Sequence, residues 1–70
     1  MGNNVIGKTI QQRRKELKIT QSSLAELAEI SINTLYKIER GEANPTLDVL
    51  QKIADVLGLE LTLITKKTNK

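Results

Sequence analysis

Two short amphipathic stretches, residues 20–28 and 31–40, stand only about three residues apart. Behind Thr20, the apolar residues Leu24, Ala25, Leu27 and Ala28 return at three- and four-residue steps; behind Ser31, Leu35 and Ile38 do the same. That recurrence is the signature of a helix with one buried face. Thr20 and Ser31 each bring a side-chain oxygen to the position where it can accept from a first-turn N–H. Gly41 follows Arg40 and can adopt the left-handed conformation that closes a helix. A gap this short cannot act as a free linker. It turns one helix onto the next and makes a helix-turn-helix unit instead of two independent helices.

The flanking segments keep the same period. Ile6, Ile10 and Leu17 share a face of an upstream segment with Asn3 or Asn4 available as its N-cap, although Arg13 and Arg14 interrupt the stripe. Downstream, Pro45 and Thr46 open a further helix in which Leu47, Leu50, Ile53, Ala54 and Leu57 recur before Gly58. The pattern predicts an all-α, compact four-helix domain over residues 1–58. Beyond Gly58 the period changes, and Leu59-Glu60-Leu61-Thr62-Leu63 alternates apolar and polar. Leu59 and Leu63 are four apart, as a fifth helix would have them, but the preceding glycine and the β-branched Thr62, Ile64 and Thr65 favour a strand. A lone strand leaves its backbone groups unpaired, and its simplest partner is the same strand of a second copy across a two-fold axis. Residues 59–65 are therefore expected to dimerise the chain through Leu59, Leu61 and Leu63, with residues 66–70 a disordered tail.

Seventy residues suffice for one domain with a thin core, which needs close helix packing or a partner chain. The chain has no cysteine and no histidine. Disulfides, thiolate metal ligands, the commonest zinc ligand and the commonest general base are all excluded. Ser22, Ser23, Asp48 and Asp55 have no such group to work with, so neither catalysis nor a metal or cofactor is expected. No apolar run is long enough to cross a membrane and the first residues lack a signal-peptide core, which points to the cytoplasm. Charge is unevenly placed: residues 1–40 hold seven basic and four acidic side chains, whereas residues 41–58 hold Lys52 against Glu42, Asp48 and Asp55. A basic half beside an acidic segment suits a phosphate-bearing partner.

Three stretches together carry a resemblance: Ile19-Thr20-Gln21-Ser22-Ser23-Leu24-Ala25-Glu26-Leu27-Ala28, then Ile30 through Ile38-Glu39-Arg40-Gly41, then Asn44-Pro45-Thr46-Leu47. The chain resembles the lambda-repressor/Cro-like helix-turn-helix family, also called the XRE family, from about Ile6 to Leu57. Its strand-like tail is similar to that of the HipB-type antitoxins. The resemblance implies that the third helix enters the major groove and that the start of the second touches the DNA backbone. Carried over by position, Ile32, Asn33, Tyr36, Lys37 and Arg40 face the groove. Asn33 suits adenine, Lys37 suits guanine and Ile32 suits a thymine methyl. Gln21 reaches a phosphate or a base edge, and Ser22, Arg14, Lys15, Arg40 and Asn44 are further phosphate candidates. Arg14 and Glu39 match positions that pair between the first and third helices, and Ala25 lies where the second and third helices approach most closely.

Two departures stand out. Glu29 occupies the turn position where the family usually has glycine, at a cost of roughly 1 kcal/mol. Arg13 stands where many members carry an apolar residue. The implied function is that of a homodimeric, sequence-specific double-stranded DNA-binding repressor of a palindromic operator. Two alternatives remain open. One is an antitoxin that binds a protein toxin and represses its own operon; the other is a protein-interaction adaptor that does not bind DNA.

Overall fold

Among the described residues four helices form in sequence order: α1 Gly2–Glu16, α2 Gln21–Leu27, α3 Ile32–Glu39 and α4 Leu47–Leu57. The computed structural model describes residues 2–63, with side chains from Val5 onward. Three helix starts are held by hydroxyl caps, two of them, at Thr20 and Ser31, where the sequence predicts. Thr20, Ser31 and Thr46 are extended, and their hydroxyls accept from the N–H groups of Ser23, Thr34 and Val49 at 3.0, 3.0 and 3.1 Å. Each such cap stabilises its helix by about 1 kcal/mol. The start of α1 differs from expectation. Helical backbone runs through Asn3 and Asn4 back to Gly2, so neither asparagine is the N-cap.

All four helices end in the same way. A residue with positive φ follows the last turn: Lys18 (59°), Glu29 (59°), Gly41 (76°) and Gly58 (70°). The next N–H then reaches back to a carbonyl five residues upstream, from Ile19 to Arg14 at 3.2 Å, Ile30 to Ala25 at 3.0 Å, Glu42 to Lys37 at 2.9 Å and Leu59 to Ala54 at 2.9 Å. This is the Schellman closure, which satisfies carbonyls a helix end would otherwise leave open. Ile19, Ile30 and Leu59, each next to the left-handed residue, pack against the core. Two closures are on glycine, as the sequence leads one to expect; the other two force an L side chain into the left-handed region.

The core is formed by Ile10, Leu24, Ala25, Ala28, Leu35, Ile38, Leu50, Ile53 and Leu57. Four residues expected inside lie outside it: Ile6, Leu17, Leu27 and Leu47. Leu27 is 62% exposed because Leu24, Ala25 and Ala28 define the buried arc of α2, and Leu27 lies about 100° from its centre. Leu47 points the same way as Ala54 but sits in the first turn of α4, where no other helix covers it. Leu17 falls past the end of α1, in the turn that Lys18 closes.

Gly7 explains how closely α1 approaches α3. A Cβ there would come within 2.8 Å of the Glu39 carbonyl oxygen and nearer still to that of Ile38, so only glycine lets α1 cross the end of α3 at this depth. Arg13 fastens the far side of the helix, its Nε donating to the Leu57 carbonyl at 2.9 Å, where the C-terminal end of α4 favours a cation. After Leu59 the chain runs to Leu63 as neither helix nor strand. A strand needs a ladder partner that one chain does not supply, and Leu59 packs on its own core instead of standing free for a second copy. Ile64 and Thr65 of the expected strand, and the tail 66–70, lie outside the described residues.

Candidate nucleic-acid interface

α3 has two faces with opposite chemistry. Leu35, Ile38 and Glu39 are buried, whereas Ile32, Asn33, Tyr36 and Lys37 are exposed, as is Arg40 at the helix end. Those five exposed residues fall within an arc of about 140° at the helical period. The arc carries an amide, an ammonium, a guanidinium, a phenol and one apolar side chain, Ile32, which is half exposed. It has hydrogen-bond donors suited to base edges and phosphates but no group able to act as nucleophile and base together. No cluster of metal-ligating residues occurs among the described residues.

A buried polar brace holds this face in place. Arg14 Nε and Nη2 donate to the two Glu39 carboxylate oxygens at 2.8 and 3.0 Å, and Arg14 Nη1 donates to the Ile19 carbonyl at 3.0 Å. Gln21 Nε2 donates to Glu39 Oε1 at 3.0 Å, so the first residue of α2 joins the same carboxylate. The brace therefore ties α1, the following turn, α2 and α3 together. It also shows how Arg14 is held. The residue is 9% exposed, and its Nε and one N–H on each of Nη1 and Nη2 are taken up by Glu39 and Ile19. Gln21 is half-buried and fixed in orientation, because a carboxylate accepts only from the amide nitrogen; its second N–H remains to donate.

The other positions divide by charge state. Ser22 and Asn44 are exposed at the edges of the face. Lys37 forms no ion pair with any described residue. Arg40 Nε donates to Glu42 at 2.9 Å, which raises its pKa further above the ordinary guanidinium value, and its guanidinium lies 5.4 Å from the centroid of Tyr36. That is cation–π distance. Glu29 adopts φ 59°, the left-handed conformation that makes glycine usual at this turn. Sequence reasoning missed Gly7, the α4 contact of Arg13 and the Gln21–Glu39 bond. Only Gly7 left a signal, a glycine inside a helical pattern between Ile6 and Ile10.

Comparison with known proteins agrees with this geometry. Residues 10–64 match a family described as helix-turn-helix. A protein of Methanococcus maripaludis, assigned by name to the HTH-type transcriptional regulatory proteins, is 41% identical over 58 residues, covering 83% of this chain; the chain spans 18% of that relative's length. The immunity repressor protein of Bacillus phage phi105 is 42% identical over 59 residues, covering 84% of this chain and 41% of the repressor. Among solved structures, the restriction-modification controller protein C.AhdI from Aeromonas hydrophila superposes with a TM-score of 0.81 at 25% identity, covering 84% of this chain and 89% of the controller.

Proposed function

The chain belongs to the helix-turn-helix family, and from that premise we propose that it is a sequence-specific double-stranded DNA-binding transcriptional regulator that acts as a homodimeric repressor. The observation that carries the reading is the exposed arc of α3. Ile32, Asn33, Tyr36, Lys37 and Arg40 have no part in the core, yet the helix that presents them is braced from α1 and α2 through the buried Glu39 carboxylate. Rigid presentation of donors on one helix is what major-groove reading requires. Asn33 and Lys37 read base edges, Ile32 contacts a thymine methyl, and Tyr36, Arg40, Gln21, Ser22 and Asn44 take phosphate or groove-edge positions. The chain is not an enzyme. It works by occupying an operator and excluding polymerase, in the cytoplasm where the DNA is, and needs no cofactor.

One domain offers few contacts, and two copies on a palindrome with half-sites about 34 Å apart double them. An apolar face supports the second copy. Val5, Ile6, Leu47, Leu61 and Leu63 are exposed around a groove between α1, α4 and the chain after Gly58, which includes a cavity of about 200 Å³. None of these residues belongs to the α3 arc, so DNA and a second copy do not compete for the same side chains.

The test is a fluorescence-anisotropy titration of the protein's own upstream DNA against shuffled DNA at about 50 and 200 mM salt. Wild type should prefer the upstream DNA and weaken steeply with salt. Lys37→Ala should lose about 1–3 kcal/mol of that preference. Equal weakening on both DNAs would remove Lys37 from base reading, and no binding to either would move the function to a protein partner.

A further inference from the structure

The exposed arc of α3 ends on a charge that is already paired. Arg40 and Glu42 are both about half exposed, at 54% and 51%, and are joined through Arg40 Nε at 2.9 Å. The same guanidinium stacks over Tyr36. Lys37, one turn earlier, makes no ion pair among the described residues. The two cations of the arc thus meet a phosphate backbone in different states, one bare and one answered. Glu42 is not loosely placed, because its own N–H closes α3 on the Lys37 carbonyl at 2.9 Å, just after the left-handed Gly41.

Resting on the DNA-binding reading above, we propose that Glu42 is an affinity-limiting residue that acts through Arg40: it holds the guanidinium against Tyr36 and offsets its charge, so a backbone phosphate has to compete with the carboxylate. Phosphate contacts raise affinity for every sequence alike, whereas base contacts carry the preference. A carboxylate bonded to the phosphate-facing arginine lowers the shared component and leaves Asn33 and Lys37 a larger part of what remains. Weak binding to unrelated DNA is then built into the end of the reading helix. Glutamine at position 42 keeps an oxygen that can accept from Arg40 Nε while it removes the charge and turns the second oxygen into an NH2 donor.

The experiment is a double-mutant cycle of wild type, Glu42→Gln, Arg40→Gln and the double variant, titrated on upstream and shuffled DNA at two salt concentrations. Glu42→Gln should tighten binding to both DNAs by about threefold and steepen the salt dependence by about one released ion. In the Arg40→Gln background the same substitution should change little. No gain from Glu42→Gln overturns the proposal. So does an equal gain with and without Arg40, which would make Glu42 a general repulsive charge and not a restraint on one side chain. If wild type binds both DNAs but Glu42→Gln is silent, this inference alone fails. If wild type binds neither, the DNA reading fails and this inference with it.

Discussion

Glu39 accepts three hydrogen bonds while its side chain is 1% exposed, and its arginine partner is 10% exposed. In such a setting the attraction roughly balances the cost of desolvating both charges, but removing one partner leaves the other uncompensated. Arg14→Ala should therefore lower stability by about 3–5 kcal/mol, read as a fall in the urea midpoint with an unchanged m-value. A loss below about 1 kcal/mol would mean that Glu39 is solvated despite its burial. The same geometry separates the two roles that the family likeness suggests for Arg14. Its pairing with Glu39 is the role that stability reads, and salt-dependent DNA affinity of a folded Arg14 variant reads the other. Gln21 shows what a linear reading leaves out. It sits 18 residues from Glu39, and nothing in its local sequence specifies that its amide completes a bond on the far end of α3.

Among the elements, the helix closures separate what local chemistry predicts from what it does not. Gly41 and Gly58 announce the ends of α3 and α4, because glycine enters the left-handed region without penalty. Lys18 and Glu29 do the same work with a side chain attached. At Glu29 only the family likeness pointed to the conformation; at Lys18 there was no signal. Both are held there by the closing bonds and by the packing of Ile19 and Ile30 immediately after them. Glu29→Gly should raise stability by about 1 kcal/mol, the left-handed penalty partly offset by the greater freedom of glycine in the unfolded chain. For a domain of this size that corresponds to a rise in melting temperature of roughly 4–8 °C. A lower melting temperature would show that the side chain at position 29 contributes more than its backbone costs.

For the molecule as a whole, the largest apolar exposure lies along the groove between α1 and α4. Leu47 is 77% exposed and Leu63 98%, so charging them should leave the single-copy fold intact. If a second copy covers them, Leu47→Glu with Leu63→Glu should weaken self-association at least tenfold, since burying one such side chain contributes about 1.5–3 kcal/mol. Light scattering across a concentration series reads the change directly. These substitutions test the face more cleanly than cutting the chain after Gly58, because Leu59 packs on the core and closes α4. An unchanged dimer would place the interface elsewhere. A chain that is monomeric before and after substitution would leave the groove for a different protein, as an antitoxin role requires.

By itself the sequence determined the four helices, two of their N-caps, two of their stops and the inward face of α3, because each depends on contacts within a few residues or on a period of 3.6, while the outward residues of α3 followed from the family likeness. Tertiary structure alone decided that Gly7 had to be glycine, that Arg13 would answer the end of α4, that Gln21 would join the Arg14–Glu39 pair and that Leu27 and Leu47 would remain outside the core. Each of these depends on where a second element lies in space, and a helical period specifies which way a side chain points but not whether anything is there to meet it.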